Sequence, residues 1–482
     1  MTNTRKTTKQ FTSTSTHTGK LSVLISGASV AGPALAHWLH RHGFEATIVE
    51  RAPALRDGGY AVDFRGHAHL SVLRRMGILD TVQRARTGMG SMSYVNTTGK
   101  SVAKLPADLF AGDVEILRGD LARILYDETS PYTEYLFGDS ITSLTEDANG
   151  VAVTFERHAP RRFDLVIGAD GLHSTTRRLA FGPEEDFVKH LGVYCAIFTT
   201  ANHLGLDHTG HAYRTANRMV AMYSARDNTE AKAVFYFGSP ALDLDRHDVT
   251  RQQTLLAEQF AGTGWHSDRL LHDMRHAPDF YFDSVSQVRM DRWSRGRVAL
   301  LGDAAYCPSS LSGMGSGLAL VGAYVLAGEL AAARGDYTVA FARYEREMRA
   351  YAEGCQKMGD GVAGLMVPSS RFAATALNRY YKVMPYLPGK NMAAKIARRA
   401  AENITLRDYP SGDPHADVPA LSHSLHPTRP DRGPSRATTR RTADPRDAGV
   451  LPPAGCAEGR VPPCGARPSM SATTTASHHR AR

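Results

Sequence analysis

The sequence predicts an α/β protein with a Rossmann-like first domain, an inserted β-sheet and a C-terminal helical region. Three observations carry this prediction. Residues 21–50 read as strand, glycine-bearing turn, helix and strand, which is typical of a βαβ unit in a parallel sheet. Two later apolar runs, 163–168 and 296–301, also end beside glycine and aspartate. Between these two runs lie short segments rich in aromatic and β-branched residues, which favour strands.

Changes of pattern along the chain define the predicted domains. The first domain is interrupted by the inserted sheet and resumes after it, and the helical region shows apolar residues at helical spacing. The two ends are rich in Thr, Pro, Arg and Ala and carry too little apolar surface to order themselves. The predicted segments are a disordered leader at 1–20, the first domain at 21–184 and 285–340, the inserted sheet at 185–284, the helical region at 341–410 and a disordered basic tail at 411–482.

Composition excludes several broad classes of protein. The chain has 482 residues, and 42% of them are hydrophobic, which is ordinary for a globular protein with a large core. Its five cysteines have no metal-ligand spacing, so we expect no metal site, no disulfide framework and a cytoplasmic location. The net charge of +9 resides mainly in the two ends, which does not indicate nucleic-acid binding. The longest apolar run, 318–333, contains Glu329, so no membrane span is predicted.

The turn after the first strand has the chemistry of a dinucleotide site. Gly27 allows a sharp turn, and the helix that follows presents free backbone N–H groups to a pyrophosphate. Ser29 stands where a second glycine is usual, and Gly32 completes the pattern. Glu50, at the end of the second strand, can accept hydrogen bonds from ribose hydroxyls. This unit therefore favours FAD or NAD over NADP.

Two further strand ends resemble the first. Asp170 follows the run 163–168, and Asp303 follows the run 296–301. Acidic side chains at the carboxyl ends of parallel strands lie where doubly wound folds bind ligands. A glycine-rich turn, 313–317, then opens a long helix whose first amides can face negative charge.

Together with the run Ile116-Leu117-Arg118-Gly119-Asp120-Leu121, these motifs resemble the single-component FAD-dependent aromatic hydroxylases. This family includes para-hydroxybenzoate hydroxylase and the tetracycline- and rifampicin-modifying monooxygenases. The resemblance covers residues 21–380 and rests on three motifs in the same order and spacing. It implies that the first domain binds FAD and that the inserted sheet binds substrate.

The resemblance also implies roles for individual residues. Arg56 corresponds to an arginine that contacts the nicotinamide, and the Asp170 motif is linked to both FAD and NAD(P)H. The positions implied for cofactor binding are Gly27, Ser29, Gly32, Glu50, Arg51, Asp63, Arg118, Asp170, Asp303, Gly313, Met314, Gly315 and Ser316. The sequence departs from the family at Tyr306, at Ser309-Ser310 and at Gly317, which we expect near the flavin ring. We interpret His173 as structural.

The implied activity is hydroxylation of an aromatic, phenolic or polyketide-like small molecule. NADPH or NADH would reduce FAD, and O₂ would react to give a flavin C4a-hydroperoxide that transfers one oxygen atom. No catalytic side chain is assigned, because the flavin performs this chemistry. The substrate candidates lie on the inserted strands, where alternate residues face opposite sides. Of Met222, Tyr223, Phe235, Tyr236 and Phe237, we assign Met222, Phe235 and Phe237 to the substrate.

Two alternatives stay open. A flavin-dependent reductase or dehydrogenase would share this fold, and a non-catalytic flavoprotein would sequester an aromatic ligand without turnover. Flavin-dependent halogenation is disfavoured, because Trp38, Trp265 and Trp293 do not form the WxWxIP motif of that class. The expected assembly is a monomer or a homodimer, with a small-molecule aromatic substrate, O₂ and neither nucleic acid nor membrane as partner.

Overall fold

The computed structural model describes residues 20–56, 58–105, 112–386 and 392–410. The predicted tail at 411–482 and all but the last residue of the predicted leader lie outside the described residues.

A mostly parallel sheet forms the centre of the first domain. Its apolar strands are buried on both faces, which is why they read as continuous hydrophobic runs. β1 pairs in parallel with both β2 and β11, and β11 pairs in parallel with β18. The carboxyl ends of the three motif-bearing strands therefore meet at one edge of the sheet. In spatial order the strands are β17 (Ser294–Arg295), β18 (Val298–Leu300), β11 (Leu165–Gly168), β1 (Ser22–Ser26), β2 (Glu45–Glu50) and β7 (Glu134–Phe137).

Helices and two small sheets surround this central sheet. The antiparallel pair β3 (Ala61–Phe64) and β6 (Val114–Leu117) and the three-stranded sheet of β8 (Ile141–Asp147), β9 (Gly150–Phe155) and β10 (Arg161–Phe163) lie beside it. The helices of this domain are α1 (Ala31–Arg41), α2 (Gly66–Arg75), α3 (Leu79–Arg84), α4 (Arg118–Thr129), α5 (Thr175–Ala180), α8 (Asp303–Tyr306), α9 (Gly315–Ala332) and α10 (Tyr337–Gly359).

Helix α9 forms the centre of the helical layer. It is apolar on all sides and packs between α1 and α10, as expected for a core helix. Among the described residues it is the one helix long and apolar enough to cross a membrane, with a mean hydropathy of 1.4, but 78% of it is buried in the protein. Glu329 is 1% exposed and accepts hydrogen bonds from Arg407 and Tyr409. These contacts attach the segment 402–410 to the helical layer.

The second large sheet draws its strands from more of the chain than predicted. The inserted segment 185–284 supplies most of them, but β4 and β5 come from within the predicted first domain. β4 pairs in parallel with β13, so this pairing is non-local and leaves no turn signal in the sequence. In spatial order the strands are β16 (Tyr281–Val288), β12 (Val188–Thr200), β15 (Glu230–Gly238), β14 (Arg218–Ala225), β13 (Thr209–Thr215), β4 (Ser91–Val95) and β5 (Ser101–Leu105).

Helices cover both faces of this second sheet. On one face α6 (Val249–Phe260) and α7 (Ser267–Met274) bury a cluster of aromatic and aliphatic side chains. At the edge strand β5, α12 (Arg371–Val383) is held by Arg214, whose guanidinium lies 4.0 Å from the ring centroid of Tyr94 and 5.2 Å from that of Tyr381. The remaining C-terminal helices are α11 (Val362–Met366) and α13 (Met392–Ala401).

Candidate active site

A cavity of about 980 Å³ lies at the carboxyl ends of β1 and β11 and extends to strand β16 of the second sheet. Its volume is at the upper end of the range of roughly 300–1,000 Å³ for small-molecule and cofactor sites. The position is the one where doubly wound folds bind ligands. All three motifs found in the sequence contribute to its wall.

Two glycines shape the loop at one end of the cavity. Gly27 has φ +110°, and a Cβ there would lie 2.4 Å from the Ala169 carbonyl oxygen. A Cβ on Gly32 would lie 1.9 Å from the Gly27 carbonyl oxygen. Gly32 is buried and lies outside the residues that line the cavity, so it does not face the pyrophosphate position as expected. Its role is to allow α1 to pack closely on the loop.

Ser29 and Arg118 meet across the cavity wall. The Arg118 Nη1 donates a hydrogen bond of 2.9 Å to the Ser29 Oγ, and both residues line the cavity. No side chain caps the N-terminus of α1, so its first amides remain available to an anion. The serine that replaces the usual glycine therefore places a guanidinium beside the helix N-terminus.

Glu50 joins the end of β2 to the glycine loop. Its Oε2 accepts a hydrogen bond from the Ala28 backbone N–H, and its Oε1 accepts one from Ala52, both at 2.9 Å. The residue is half-buried and lines the cavity, which leaves carboxylate lone pairs for ribose hydroxyls. Arg51 and Arg56 line the same end and are exposed.

Asp170 connects two elements of the wall. Its Oδ2 accepts hydrogen bonds from the Thr176 N–H at 2.9 Å, the Thr176 hydroxyl at 3.0 Å and the Ser26 hydroxyl at 3.2 Å. Its Oδ1 accepts from Ser174, the N-cap residue of α5. The carboxylate thus holds the end of β1 and the start of α5 together, and it lines the cavity as well.

Asp303 faces the cavity from the first turn of α8. Burial raises the pKa of its carboxyl above the usual range, and the Cys307 side chain lies within hydrogen-bonding distance. The α9 turn lies beside it, because a Cβ on Gly315 would be 3.6 Å from the Asp303 Oδ1. Gly313, in the left-handed region at φ +64°, lines the cavity together with Gly315 and Ser316. Met314 is fully buried and lies outside the lining, although we expected it to border the flavin.

Asp63 lies beside the turn that precedes α9. Its carboxylate accepts hydrogen bonds from the Arg65 guanidinium at 3.1 Å and from the Gly112 N–H at 2.9 Å. Burial raises its pKa despite these bonds. A Cβ on Gly313 would lie 3.6 Å from the Asp63 Oδ2, so the two predicted positions are neighbours.

The three departures from the family pattern lie in different environments. Tyr306 is buried and hydrogen-bonded to Tyr344, and it does not itself line the cavity. Ser309 and Ser310 line the cavity. A Cβ on Gly317 would lie 2.1 Å from the His69 ring, so this glycine makes room for a buried histidine.

The substrate assignment selected the wrong face of the inserted strands. Met222, Phe235 and Phe237 are fully buried beneath α6 and α7, and none of the three lines the cavity. The residues beside them, Tyr223 and Tyr236, lie on the opposite face. A run of adjacent aromatic residues does not reveal whether the odd-numbered or the even-numbered ones face the ligand.

We define a tyrosine cluster of Tyr60, Tyr223, Tyr236 and Tyr281 on the cavity side of the second sheet. Tyr60 and Tyr281 line the cavity, with ring centroids 6.5 Å apart. The Tyr223 hydroxyl accepts a hydrogen bond from the Ala61 N–H at 3.3 Å. Burial raises the pKa of all four hydroxyls, so they stay protonated. The sequence did contain one indication of which residues face the ligand. A buried tyrosine hydroxyl needs a polar partner, whereas a buried phenylalanine ring needs none.

His173 links the first domain to the second sheet at the cavity wall. Its Nδ1 lies 2.8 Å from Glu184, and its Nε2 lies 3.0 Å from Asp283, whose other oxygen accepts from Tyr281. Burial lowers the pKa of His173, but the bonds to Asp283 and Glu184 outweigh burial and raise it to about 9. The ring is therefore a charged clamp between two carboxylates, which agrees with a structural role.

This clamp predicts a pH-dependent stability. Because the folded pKa is above 6.5, the contribution of His173 is fully present below about pH 6.5 and is lost as the pH rises through about 9. Two further charged groups act on the Glu184 carboxylate, namely Arg177 and Arg246. We expect His173→Gln to remove on the order of 1–2 kcal/mol at pH 6.5 and less at pH 9.5. Thermal unfolding at pH values across this range measures the loss of stability, and the exposed His276→Gln variant is the control. An equal loss of stability at pH 6.5 and pH 9.5 would contradict the prediction.

The fold and the site together define a flavin-dependent monooxygenase. The chain belongs to the FAD binding domain family, whose model matches residues 20–357. The predicted family and fold are therefore confirmed, and FAD is the cofactor.

Several relatives extend over most of this chain. An uncharacterized protein of Mycobacterium tuberculosis strain H37Rv is 50% identical over 358 residues, which are 73% of this chain and 96% of that protein. A flavin-dependent monooxygenase of Legionella longbeachae is 41% identical over 343 residues, which are 70% of this chain and 88% of its own. The crystal structure of tetracycline destructase Tet(51) matches with a TM-score of 0.72 and 35% identity, covering 81% of this chain and 99% of that one.

The residues of the cavity fit FAD. The close packing at Gly27 and Gly32 leaves the N-terminus of α1 open to the cavity, and the Arg118–Ser29 pair would hold the pyrophosphate there. Glu50 would bind the adenosine ribose, and Asp303 would bind the ribityl chain. The uncapped N-terminus of α9, at Gly315 and Ser316, would face the electron-rich edge of the flavin ring.

Proposed function

We propose that this enzyme uses NADPH or NADH and O₂ to hydroxylate an oxygenated aromatic or polyketide-like small molecule. One observation carries the proposal: a single cavity connects the dinucleotide loop to Tyr60 and Tyr281 of the tyrosine cluster. A cofactor that extends from the loop to the α9 turn would therefore present its ring to a ligand held against the second sheet.

Bound FAD would supply hydride acceptance and oxygen activation, while the protein binds, orients and excludes water. Phe280 and Phe282 line the cavity beside Tyr281 and provide an apolar wall. Such a wall excludes bulk water, which protects reactive species from hydrolysis and proton leakage. The amides at the start of α9 would stabilise negative charge that develops on the reduced ring.

The tyrosine cluster supports a substrate that carries hydroxyl or carbonyl groups. Protonated phenols both donate and accept hydrogen bonds, and their rings pack against aromatic ligands. The Tyr281 hydroxyl donates 2.9 Å to Asp283, so its oxygen lone pairs stay available to a phenolic or enolic O–H of the substrate. The destructase similarity supports a polycyclic, polyoxygenated substrate, since the name of that structural neighbour refers to tetracycline.

We expect Tyr281→Phe to raise the KM for an aromatic substrate by about 5-fold, because one hydrogen bond to the substrate contributes roughly 1 kcal/mol. The fraction of consumed NAD(P)H that yields product should also fall. Steady-state kinetics with product quantification measures both quantities. Tyr213→Phe is the matched control, since it deletes the same hydroxyl on the opposite face of the same sheet. Equal effects of the two substitutions would contradict the assignment.

Two further candidates have the same fold. A flavin-dependent reductase would consume NAD(P)H and reduce its ligand without O₂, and a non-catalytic flavoprotein would bind an aromatic ligand without turnover. Ligand-stimulated NAD(P)H oxidation, measured with a panel of phenolic and polyketide compounds in the presence and absence of O₂, separates the three. Stimulation that requires O₂ supports the monooxygenase. We also infer a cytoplasmic location, which the buried free thiols of Cys195, Cys307 and Cys355 support.

A further inference from the structure

A side lobe of the cavity is lined by basic residues. We define the basic lobe as the space of about 440 Å³ next to the end of β2, where Arg51, Arg178, Arg246 and His247 converge. Arg51 follows β2, Arg178 lies in α5, and Arg246 and His247 precede α6, so the first domain and the inserted segment both contribute. Hydroxyls of Ser140, Thr142 and Thr175 also line the lobe, and Glu156 is its single acidic residue. The two spaces adjoin, because five residues line both of them: Arg51, Ser140, Thr175, Arg246 and His247.

Among the described residues, the arginines of the basic lobe form no short ion pair with a carboxylate, although Glu184 acts on Arg246 at longer range. Within the described part of the chain, no carboxylate oxygen lies within 4.0 Å of a guanidinium nitrogen of Arg51, Arg178 or Arg246. Arg56, on the main cavity, has none either. The Arg246 Nε instead bonds to the neighbouring His247 at 3.2 Å. Partial desolvation at the cavity wall, followed by the charges of Arg246 and Arg56, lowers the pKa of Arg51, while Glu50 and Glu156 oppose this effect. The lobe therefore has an excess of positive charge, with three arginines and one lining carboxylate, Glu156.

Such a lobe has the chemistry of a phosphate site. Arginine guanidinium groups bind phosphate oxygens in bidentate geometry, and hydroxyl groups supply further donors. A phosphate monoester carries a charge of about −1.5 to −2 near pH 7, which matches several cations better than a single carboxylate does. The pyrophosphate of FAD already has donors at the start of α1 and at Arg118, and those residues do not line the lobe.

We propose that the basic lobe binds the 2′-phosphate of NADPH, and that the enzyme therefore prefers NADPH to NADH. This inference rests on the proposed use of a nicotinamide co-substrate. NADH has a neutral ribose at the same place and would leave the arginines unpaired.

The test measures binding of phosphate-bearing probes to the full-length holoenzyme by titration calorimetry. We expect adenosine 2′,5′-bisphosphate to bind at least about 10-fold more tightly than 5′-AMP, and NADP⁺ more tightly than NAD⁺, because charge-assisted hydrogen bonds from guanidinium to phosphate are among the strong ones. In the double variant Arg178→Gln/Arg246→Gln, the preference should fall to about 2-fold or less. Arg84→Gln is the matched control, because this exposed arginine bonds to Thr81 and lines neither cavity.

FAD content and product formation distinguish the other outcomes. Equal affinity of the wild-type protein for the two nucleotides would overturn the proposal. Loss of FAD absorbance from the double variant would also overturn it, because the lobe would then bind a phosphate of FAD itself. If the proposed hydroxylation is wrong, product will not form, but the nucleotide preference will persist, since binding is measured without turnover.

Discussion

Replacing Asp303 by alanine is expected to give a folded protein that has lost FAD. Asp303 is the acidic residue that α8 presents to the cavity, and the α9 turn lies against it. Burial raises the pKa of this carboxyl, which means that its charged form is unfavourable without a hydrogen-bonding partner. A bound cofactor would supply that partner. Each lost hydrogen bond to a charged group weakens binding by roughly 1.5–3 kcal/mol, or about 10- to 100-fold.

The purified wild-type protein should be yellow, with non-covalently bound FAD. The measurement is the flavin-to-protein absorbance ratio, followed by titration of the apoprotein with FAD. Asp80→Ala is the matched control, because Asp80 is also an acidic residue in the first turn of a helix but is exposed and outside the cavity. A variant of Asp303 that keeps wild-type FAD affinity would remove this residue from the site.

Substituting Gly32 by alanine is expected to lower both stability and FAD content. The new Cβ would lie 1.9 Å from the Gly27 carbonyl oxygen and 3.2 Å from the Ile25 side chain, so α1 must move away from the loop. Overpacking of a rigid contact costs about 1–3 kcal/mol or more. The displaced helix would also withdraw its N-terminal amides from the pyrophosphate.

Denaturant unfolding of the apoprotein and FAD titration report the two effects separately. Gly364→Ala is the matched control, since a Cβ at that position meets no atom within 4 Å. The same unfolding midpoint for both variants would show that the contact between α1 and the loop is not tight.

The sequence was sufficient for the cofactor half of the site because its signals are local. The Gly27 loop, Asp170 and Asp303 each follow an apolar strand, and parallel strands place their carboxyl ends along one edge. The pairing of Ser29 with Arg118 brings together two positions 89 residues apart, but each was identifiable alone. The fold class follows from the same strand pattern.

The substrate half depends on information that the sequence does not carry. Phe235, Tyr236 and Phe237 are adjacent, and the choice of face depends on whether α6 and α7 cover one side. The pairing of β4 with β13 and the approach of Arg246 to Arg51 are non-local contacts without a spacing rule. Composition and motif spacing cannot locate such contacts, because they arise from tertiary packing.

Oxygen-isotope labelling tests the proposed activity most directly. The purified full-length enzyme would be supplied with NADPH, ¹⁸O₂ and a phenolic or polyketide compound that stimulates NADPH oxidation. The account predicts a product with a single added ¹⁸O atom and no incorporation from H₂¹⁸O. A product that is reduced without consumption of O₂, or a ligand that binds tightly without product formation, would contradict it.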